Sequence, residues 1–338
     1  MDYKIKKISE VNNDLLKHFY KLAFPLRYKT LINHWKWSYK IGQSDFEPLV
    51  LEHDSKIIGM AGLIPEKLRF GTSIHQGIWF TDFHILENYR NKGLGSFLTK
   101  EWMKICPIQI TYCNEESLKI FKKFKWKNNK IIYRKIIPIN FLKLVPVLKK
   151  INLNYKGNLF SKGNKIDDKE IDKVQPSNIN IKDLTKLCKL EEWNLTKKDI
   201  FSIVRDENWF KWRFIDCPYA LEIFKFEFNN DLIVGHIFKI NNEKRLNVLY
   251  SYSHDQNNKI YDLVYNWCQN NNIDFIWTLN SEHKKIFKEN LIEKFLFKKR
   301  INFAYWSQDP KTFSHLERGF SNSQGSDSDL ESIQYQGE

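Results

Sequence analysis

The chain has 338 residues, 54 Lys and Arg against 40 Asp and Glu, and therefore a formal charge of +14; 42% of it is hydrophobic. That apolar content suffices for real cores and excludes global disorder, and the length suggests about two domains. No apolar run reaches the ~18–20 residues a membrane helix needs, the start "MDYKIKKISEVNND" has no signal-peptide core, and the five scattered cysteines fit reduced thiols in a cytoplasm better than disulfides or zinc.

In chain order, "YKIKKIS" predicts a strand and "DLLKHFYKLAF" (Asp14–Phe24) an amphipathic helix ending before Pro25. "LVLEHDSKIIGMAGLIPEKLRF" (Leu49–Phe70) reads as two strands joined at Asp54-Ser55-Lys56, and "GIWFTDFHIL" (Gly77–Leu86) as another. A glycine-bearing loop follows. Then comes a helix with Leu94, Phe97, Leu98, Trp102 and Ile105 on one face, stopped by Pro107. "IQITYC" is a strand, "EESLKIFKKF" a helix with Leu118, Phe121 and Phe124 inward, and "WKNNKIIYRKII" a closing strand or hairpin. This succession predicts an α/β or α+β sheet with helices packed on it. From Pro138 to about Pro176 the pattern weakens: "INFLKLVPVLKKI" suggests a helix broken at Pro146, and "NYKGNLFSKGNKIDDKE" a polar linker.

The second half restarts at "NINIKDLTKLCKLEEW" and partly repeats the first. "WKWSY" resembles "FKWRF" at an offset of 212 − 37 = 175, and "DSKIIGMAGLI" resembles "NDLIVGHIFKI" at 235 − 59 = 176. "YCNEESLKIFKKFKW" weakly resembles "TLNSEHKKIFKENLIEKFLF". A duplication is expected, with units at 1–137, 138–175 (linker), 176–310 and 311–338 (polar tail). The tryptophans of the paired motifs suit a core, or a platform for a sugar ring.

The loop "YRNKGLGSF" has the order strand, Arg-x-x-Gly-x-Gly, helix. A helix start offers unpaired N–H groups and partial positive charge, so it attracts anions. Gly93 and Gly95 let a phosphate approach those amides, and Arg90, Asn91 and Lys92 add donors and charge. The physical reading is a pyrophosphate cradle. A dinucleotide fingerprint would want a third glycine where Leu98 stands, and a Walker loop would want Gly-Lys-Ser/Thr.

"DFHILENYRNKGLGSFL" resembles the signature strand, loop and helix of the GNAT acyltransferase superfamily, and "NEESLKIFKKFKW" resembles that family's downstream Asn-x-x-Ala…Tyr…Gly-Phe block. Asn114 matches the asparagine and Ser117 the small residue; Phe121 stands where tyrosine is usual, Lys125 where glycine is usual, and Trp126 where phenylalanine is usual. The resemblance covers about Tyr3 to Ile137. It implies tandem GNAT-like folds, each a mixed, mostly antiparallel twisted sheet flanked by helices, and an acyl-CoA donor, usually acetyl-CoA. Its pyrophosphate would rest on the backbone of Lys92, Gly93, Leu94, Gly95 and Ser96, beside Arg90 and Asn91. Phe83 and Ile85, splayed by a bulge, would bond the pantetheine arm, and Asn114 and Phe121 would lie near it.

The implied reaction is acyl transfer to an amine, with Asp82 and then His84 as candidate bases; they alternate with Phe83 and so share one strand face. Phe121 cannot donate a proton, so Tyr112 or Tyr133 would act as acid, or the thiolate would leave unassisted. The second copy, around "YSYSHDQNNKIYDLVYNW", has no glycine, and Asp255 would repel phosphate, so a degenerate, non-binding module is expected there, with His254 and Asp255 at a surface turn or touching the acceptor. The acceptor would be an amine, with an amino sugar of a surface polysaccharide precursor as the finer reading. The alternatives are a Fem-type transferase using aminoacyl-tRNA, which the positive charge would suit, and a non-catalytic acyl-CoA sensor.

Overall fold

The structure is a computed structural model that describes residues 2–25, 27–140, 174–194, 201–240, 242–254, 259–281 and 298–317. The linker helix expected around Pro146, the turn residue Asp255, and most of the third repeated segment lie outside these residues.

After β1 (Lys4–Lys7), α1 (Asn13–Ala23) starts at Asn12, whose side chain accepts from Asp14 N, and buries Leu16, Phe19, Tyr20 and Ala23 at helical spacing. α2 (Tyr28–Ser38) follows, then the meander β2 (Leu49–His53), β3 (Lys56–Phe70) and β4 (Ser73–Ile85). A crossover through α3 (Leu94–Met103) leads to β5 (Ile108–Cys113), and α4 (Glu115–Lys123) leads to β6 (Lys127–Pro138). In the second half, β7 (Ser177–Asn178), α5 (Asp183–Asn194) and β8 (Phe201–Ile203) precede α6 (Glu207–Phe210), which runs on as a π-helical turn over Lys211–Ile215. The meander returns as β9 (Ile223–Phe228), β10 (Asp231–Ile240) and β11 (Glu243–Tyr252), then α7 (Lys259–Asn270), β12 (Phe275–Ser281), β13 (Lys298–Ser307) and α8 (Pro310–Glu317).

Among the described residues the strands form one sheet in the order β1-β2-β3-β4-β5-β13-β6-β12-β11-β10-β9-β7, with β8 against the far end of β3. The neighbouring pairs are antiparallel except β4–β5 and β11–β12, the two pairs joined by a crossover helix. Each half is therefore wound alike, and the two exchange their last strands: β13 pairs with β5 and β6 pairs with β12.

The repeat seen in the sequence has a direct spatial counterpart. Trp37 Nε1 donates to Trp212 O at 2.9 Å, and Trp212 Nε1 donates to Trp37 O at 2.8 Å. A Cβ on Gly59 would come within 2.5 Å of Ile85 Cδ1, and one on Gly235 within 2.4 Å of Leu246 Cδ1. In both halves the glycine clears space for a side chain of the following strand. The paired tryptophans are thus an inter-half clasp and not an open platform: Trp212 is 4% exposed, with Lys40 and Arg213 over its ring.

One face of the first half packs Leu94, Leu98 and Trp102 of α3 and Leu118 and Phe121 of α4 on Ile78 and Phe80. The opposite face carries α1 and α2 and, beyond them, the core shared with the second half; Ile64 touches both clusters. The helix Pro310–Glu317 covers the start of the expected polar tail at 311; its Leu316 is fully buried and its Phe313 packs on Tyr305.

Candidate active site

β4 and β5 pair at Ile78–Gln109 and Trp79–Ile110 and then diverge. Thr111 Oγ1 donates to Phe80 O at 2.6 Å, at the vertex of the opening. Beyond it β5 gives its other edge to β13, and the facing edge of β4 is left for an extended guest. On its other side, β4 bulges against β3: Thr81 pairs with Gly62 and His84 with Met60, so Asp82 and Phe83 both oppose Ala61. Asp82 has a left-handed backbone, φ +49°. The extra residue resets the alternation. Phe80 and Phe83 both reach the α3–α4 core, with ring centroids 5.5 Å apart, and Asp82 and His84 face the α1–α2 side.

Past Ile85 the chain turns through Glu87–Tyr89 into the glycine loop. Arg90 Nε donates to Ile85 O at 3.0 Å, and Asn91 and Gly93 hold φ +62° and +76°. Gly93 is the N-cap of α3 and contributes no side-chain cap; Phe97 N closes the first turn on Gly93 O at 3.0 Å. The amides of Leu94, Gly95 and Ser96 precede that bond and have no partner inside the helix. Arg90 to Gly93 are exposed, and nothing lies within 4 Å of where a Gly93 Cβ would stand. This corner is open to solvent. Lys92 Nζ sits 5.3 Å over the Tyr89 ring, beside it. Leu94 turns inward and Ile85 is buried, so their side chains belong to the core and only their backbone is left to the loop and strand edge.

The remaining candidates sort by what they touch. Asp82 accepts from Arg27 Nη2 at 2.5 Å and from Tyr39 OH at 2.7 Å. His84 is half-buried against Phe19 and Phe24, with Nε2 3.5 Å from Arg90 Nη2; burial, and then Arg90, push its pKa below the usual imidazole value. Asn114 caps α4, accepting from Ser117 N at 2.8 Å. Tyr112 packs edge-on against Trp79 at 4.7 Å, and Tyr133 OH accepts from Arg300 Nε at 3.0 Å. Phe121, expected beside the cofactor, is instead fully buried, stacked on Trp126 at 4.9 Å and edge-on to Phe80 and Trp102. The Cys113 thiol, at the end of β5, is pushed up to about 12 by burial and Glu115.

Arg27, Tyr39 and Thr111 belong to this site, and the sequence reading missed them. Arg27 carries no motif, and Tyr39 closes the repeated "WKWSY", whose tryptophans alone suggested a role. A second feature lies between the halves on the α2 side: a cavity of about 390 Å³ lined by Lys40, Glu66, Lys67, Asp206, Trp209 and Trp212, among others. Lys40 Nζ donates to Glu66 Oε1 at 2.9 Å and to Pro65 O at 3.1 Å; burial lowers its pKa, against the pull of Glu66. Lys67 pairs with Asp206 at 2.7 Å across the halves. No helix among the described residues is long and apolar enough to cross a membrane.

Residues 9–126 match the model of the acetyltransferase (GNAT) family. No curated protein matches the chain by sequence. Among solved structures, a GCN5-related N-acetyltransferase from Kribbella flavida is similar over 90% of this chain and 71% of its own, at 11% identity and TM-score 0.60. An N-myristoyltransferase of Saccharomyces cerevisiae, solved with bound myristoyl-CoA and inhibitors, is similar over 90% of this chain and 80% of its own, at 14% identity and TM-score 0.57. The likeness to the acetyltransferase (GNAT) family thus rests on residues 9–126, and the chain as a whole shares its fold with these two structures, with two alike halves in tandem.

Proposed function

We propose that the protein is an acyl-CoA-dependent N-acyltransferase whose first half binds the donor and whose second half completes the acceptor wall. The observation that supports it most is the pairing of an open, unguarded helix start at Gly93–Ser96 with the divergence of β4 from β5. The first suits a diphosphate and the second a pantetheine-like extended chain. The residues present fit that donor: the loop is exposed and cationic, and a Gly95 Cβ would make only ordinary contact, 3.5 Å from Phe83 Cζ.

In the reaction the amine nitrogen bonds to the thioester carbonyl carbon, the C–S bond breaks, and an amide and a free thiol result. Positioning supplies most of the rate. A backbone N–H of the bulge polarises the carbonyl. His84, held neutral at pH 7, takes the amine proton directly or through water. Phe121 offers no proton, so the thiolate leaves unassisted or is protonated by solvent.

Acetyl-CoA is the proposed donor, in a reducing cytoplasm suited to the free cysteines. The acceptor is a small amine, with an amino sugar the finer reading. The neutral hydrogen-bonding groups Gln43, Ser44, Gln76 and Asn208 in the inter-half cavity support it, and the closed tryptophan clasp does not. Phe121 at the usual tyrosine place favours a second reading, a sensor that binds acyl-CoA without turnover. The test is free-thiol release from acetyl-CoA with glucosamine, ethanolamine, spermidine or lysine, alongside calorimetry with coenzyme A. Turnover supports the transferase, binding without turnover supports the sensor, and a flat calorimetric trace overturns both. Filter binding of tRNA checks the Fem-type alternative.

A further inference from the structure

Asp82 was the first candidate for the base, and its surroundings give it different work. Arg27 is the residue immediately before α2 and Tyr39 the residue immediately after it. One carboxylate therefore holds both ends of one helix: Oδ1 takes Arg27 Nη2 at 2.5 Å and Oδ2 takes Tyr39 OH at 2.7 Å. The Arg27 and Asp82 side chains are 17% and 7% exposed, and Tyr39 is fully buried. The carboxylate sits at the bulge, on a backbone that a non-glycine residue adopts only when its surroundings over-determine it. A proton moved onto it would leave the Arg27 guanidinium facing a neutral partner in a largely buried place.

We infer that Asp82 is a positioning residue: through Arg27 and Tyr39 it staples α2 to the bulge of β4, and so sets the bulge that meets the thioester against the acceptor wall. The inference rests on the acyltransfer reading for its functional half only. The chain leads on to the cavity: the next residue, Lys40, has φ +52° and donates to Glu66, and both line it. Gly62 shows how close the helix end lies: a Cβ there would meet Thr81 O at 2.8 Å and Tyr39 Cε1 at 2.9 Å.

The experiment compares Asp82→Asn, Tyr39→Phe and the double variant in the full chain. It reads free-thiol release from acetyl-CoA with the fastest of the four amines, across pH 6 to 9, together with hydrogen exchange of the α2 amides. A staple predicts a rate loss of tenfold or more in Asp82→Asn, a smaller loss in Tyr39→Phe, and a double variant no worse than Asp82→Asn. The shape of the pH profile stays as in the parent, coenzyme A affinity stays within about twofold, and α2 exchanges faster in each variant. If Asp82→Asn removes the acid limb of the pH profile while Tyr39→Phe changes neither rate nor exchange, Asp82 is the base and the inference falls. If no amine turns over, the acyltransfer reading fails by itself, and exchange in α2 still decides the staple: unchanged protection in both variants overturns it. Should Asp82→Asn not fold, Tyr39→Phe removes a single hydroxyl and carries the same readouts.

Discussion

The two halves share a winding and differ at one corner. In the first, β4 leads into an exposed loop whose helix start has unguarded amides at Leu94 to Ser96. In the second, β11 leads toward α7 with no glycine between Tyr250 and Trp267, and the strand end is stoppered: Asp231 accepts from His254 N at 2.7 Å and from Ser253 Oγ at 2.9 Å. A carboxylate occupies backbone there, whereas the first half's helix start at Gly93 has no side-chain cap. The fold needs the meander, the crossover helix and the buried apolar faces, and both halves keep these. Anion binding needs bare amides and room, and the first half's corner combines them.

Variants sharpen this contrast at several sizes. The largest effect is on the clasp that joins the halves: Trp212→Ala should cost about 3–5 kcal/mol in denaturant unfolding, because it empties a buried site and leaves Trp37 O without its donor. A cycle with Trp37→Ala should show a coupling of about 1 kcal/mol or more; strict additivity would mean that the clasp is not a unit. Next is the corner itself. Gly95→Glu should weaken coenzyme A by at least about 100-fold in calorimetry, about 2.7 kcal/mol, with Gly95→Ala much milder since its Cβ fits. Asp231→Asn, in the second half, should leave that affinity unchanged.

Two smaller effects follow. Lys125 holds φ +64° where a glycine would be at ease, so Lys125→Gly should stabilise the fold by about 0.5–1 kcal/mol, read as a rise in melting temperature. For His84 the folded pKa lies below the unfolded one, mainly through burial. Its contribution is therefore present above the unfolded value near 6.5 and is lost as pH falls through the lower folded value. The melting temperature should drop less steeply between pH 7 and pH 5 in His84→Gln than in the parent.

The glycine loop was legible in the sequence because its chemistry sits in contiguous backbone: six residues in a row specify turn, charge and helix start. The duplication was legible because Trp37 and Trp212, and Gly59 and Gly235, face the same local packing in each half. The staple was not, since Tyr39 and Arg27 stand 43 and 55 residues from Asp82 and meet it only when α2 docks on β4. Alternation puts Asp82 and His84 on one face, as found, but says nothing of the two donors waiting there. Phe121 shows in the sequence only as a side chain that cannot donate a proton. That it fills the middle of an aromatic stack needed the packing of α4 against Phe80 and Trp102.

The exchange of final strands has a consequence for how the chain comes off the ribosome. β5 finds one neighbour in β13, where Ile108 meets Ser307, so its second edge stays bare until nearly the whole protein has been made. Such a long-range pairing is slow to form and invites sticking to other chains in the interval. A fragment ending after β6 should come out insoluble, and supplying the remainder as a separate polypeptide should return it to solution.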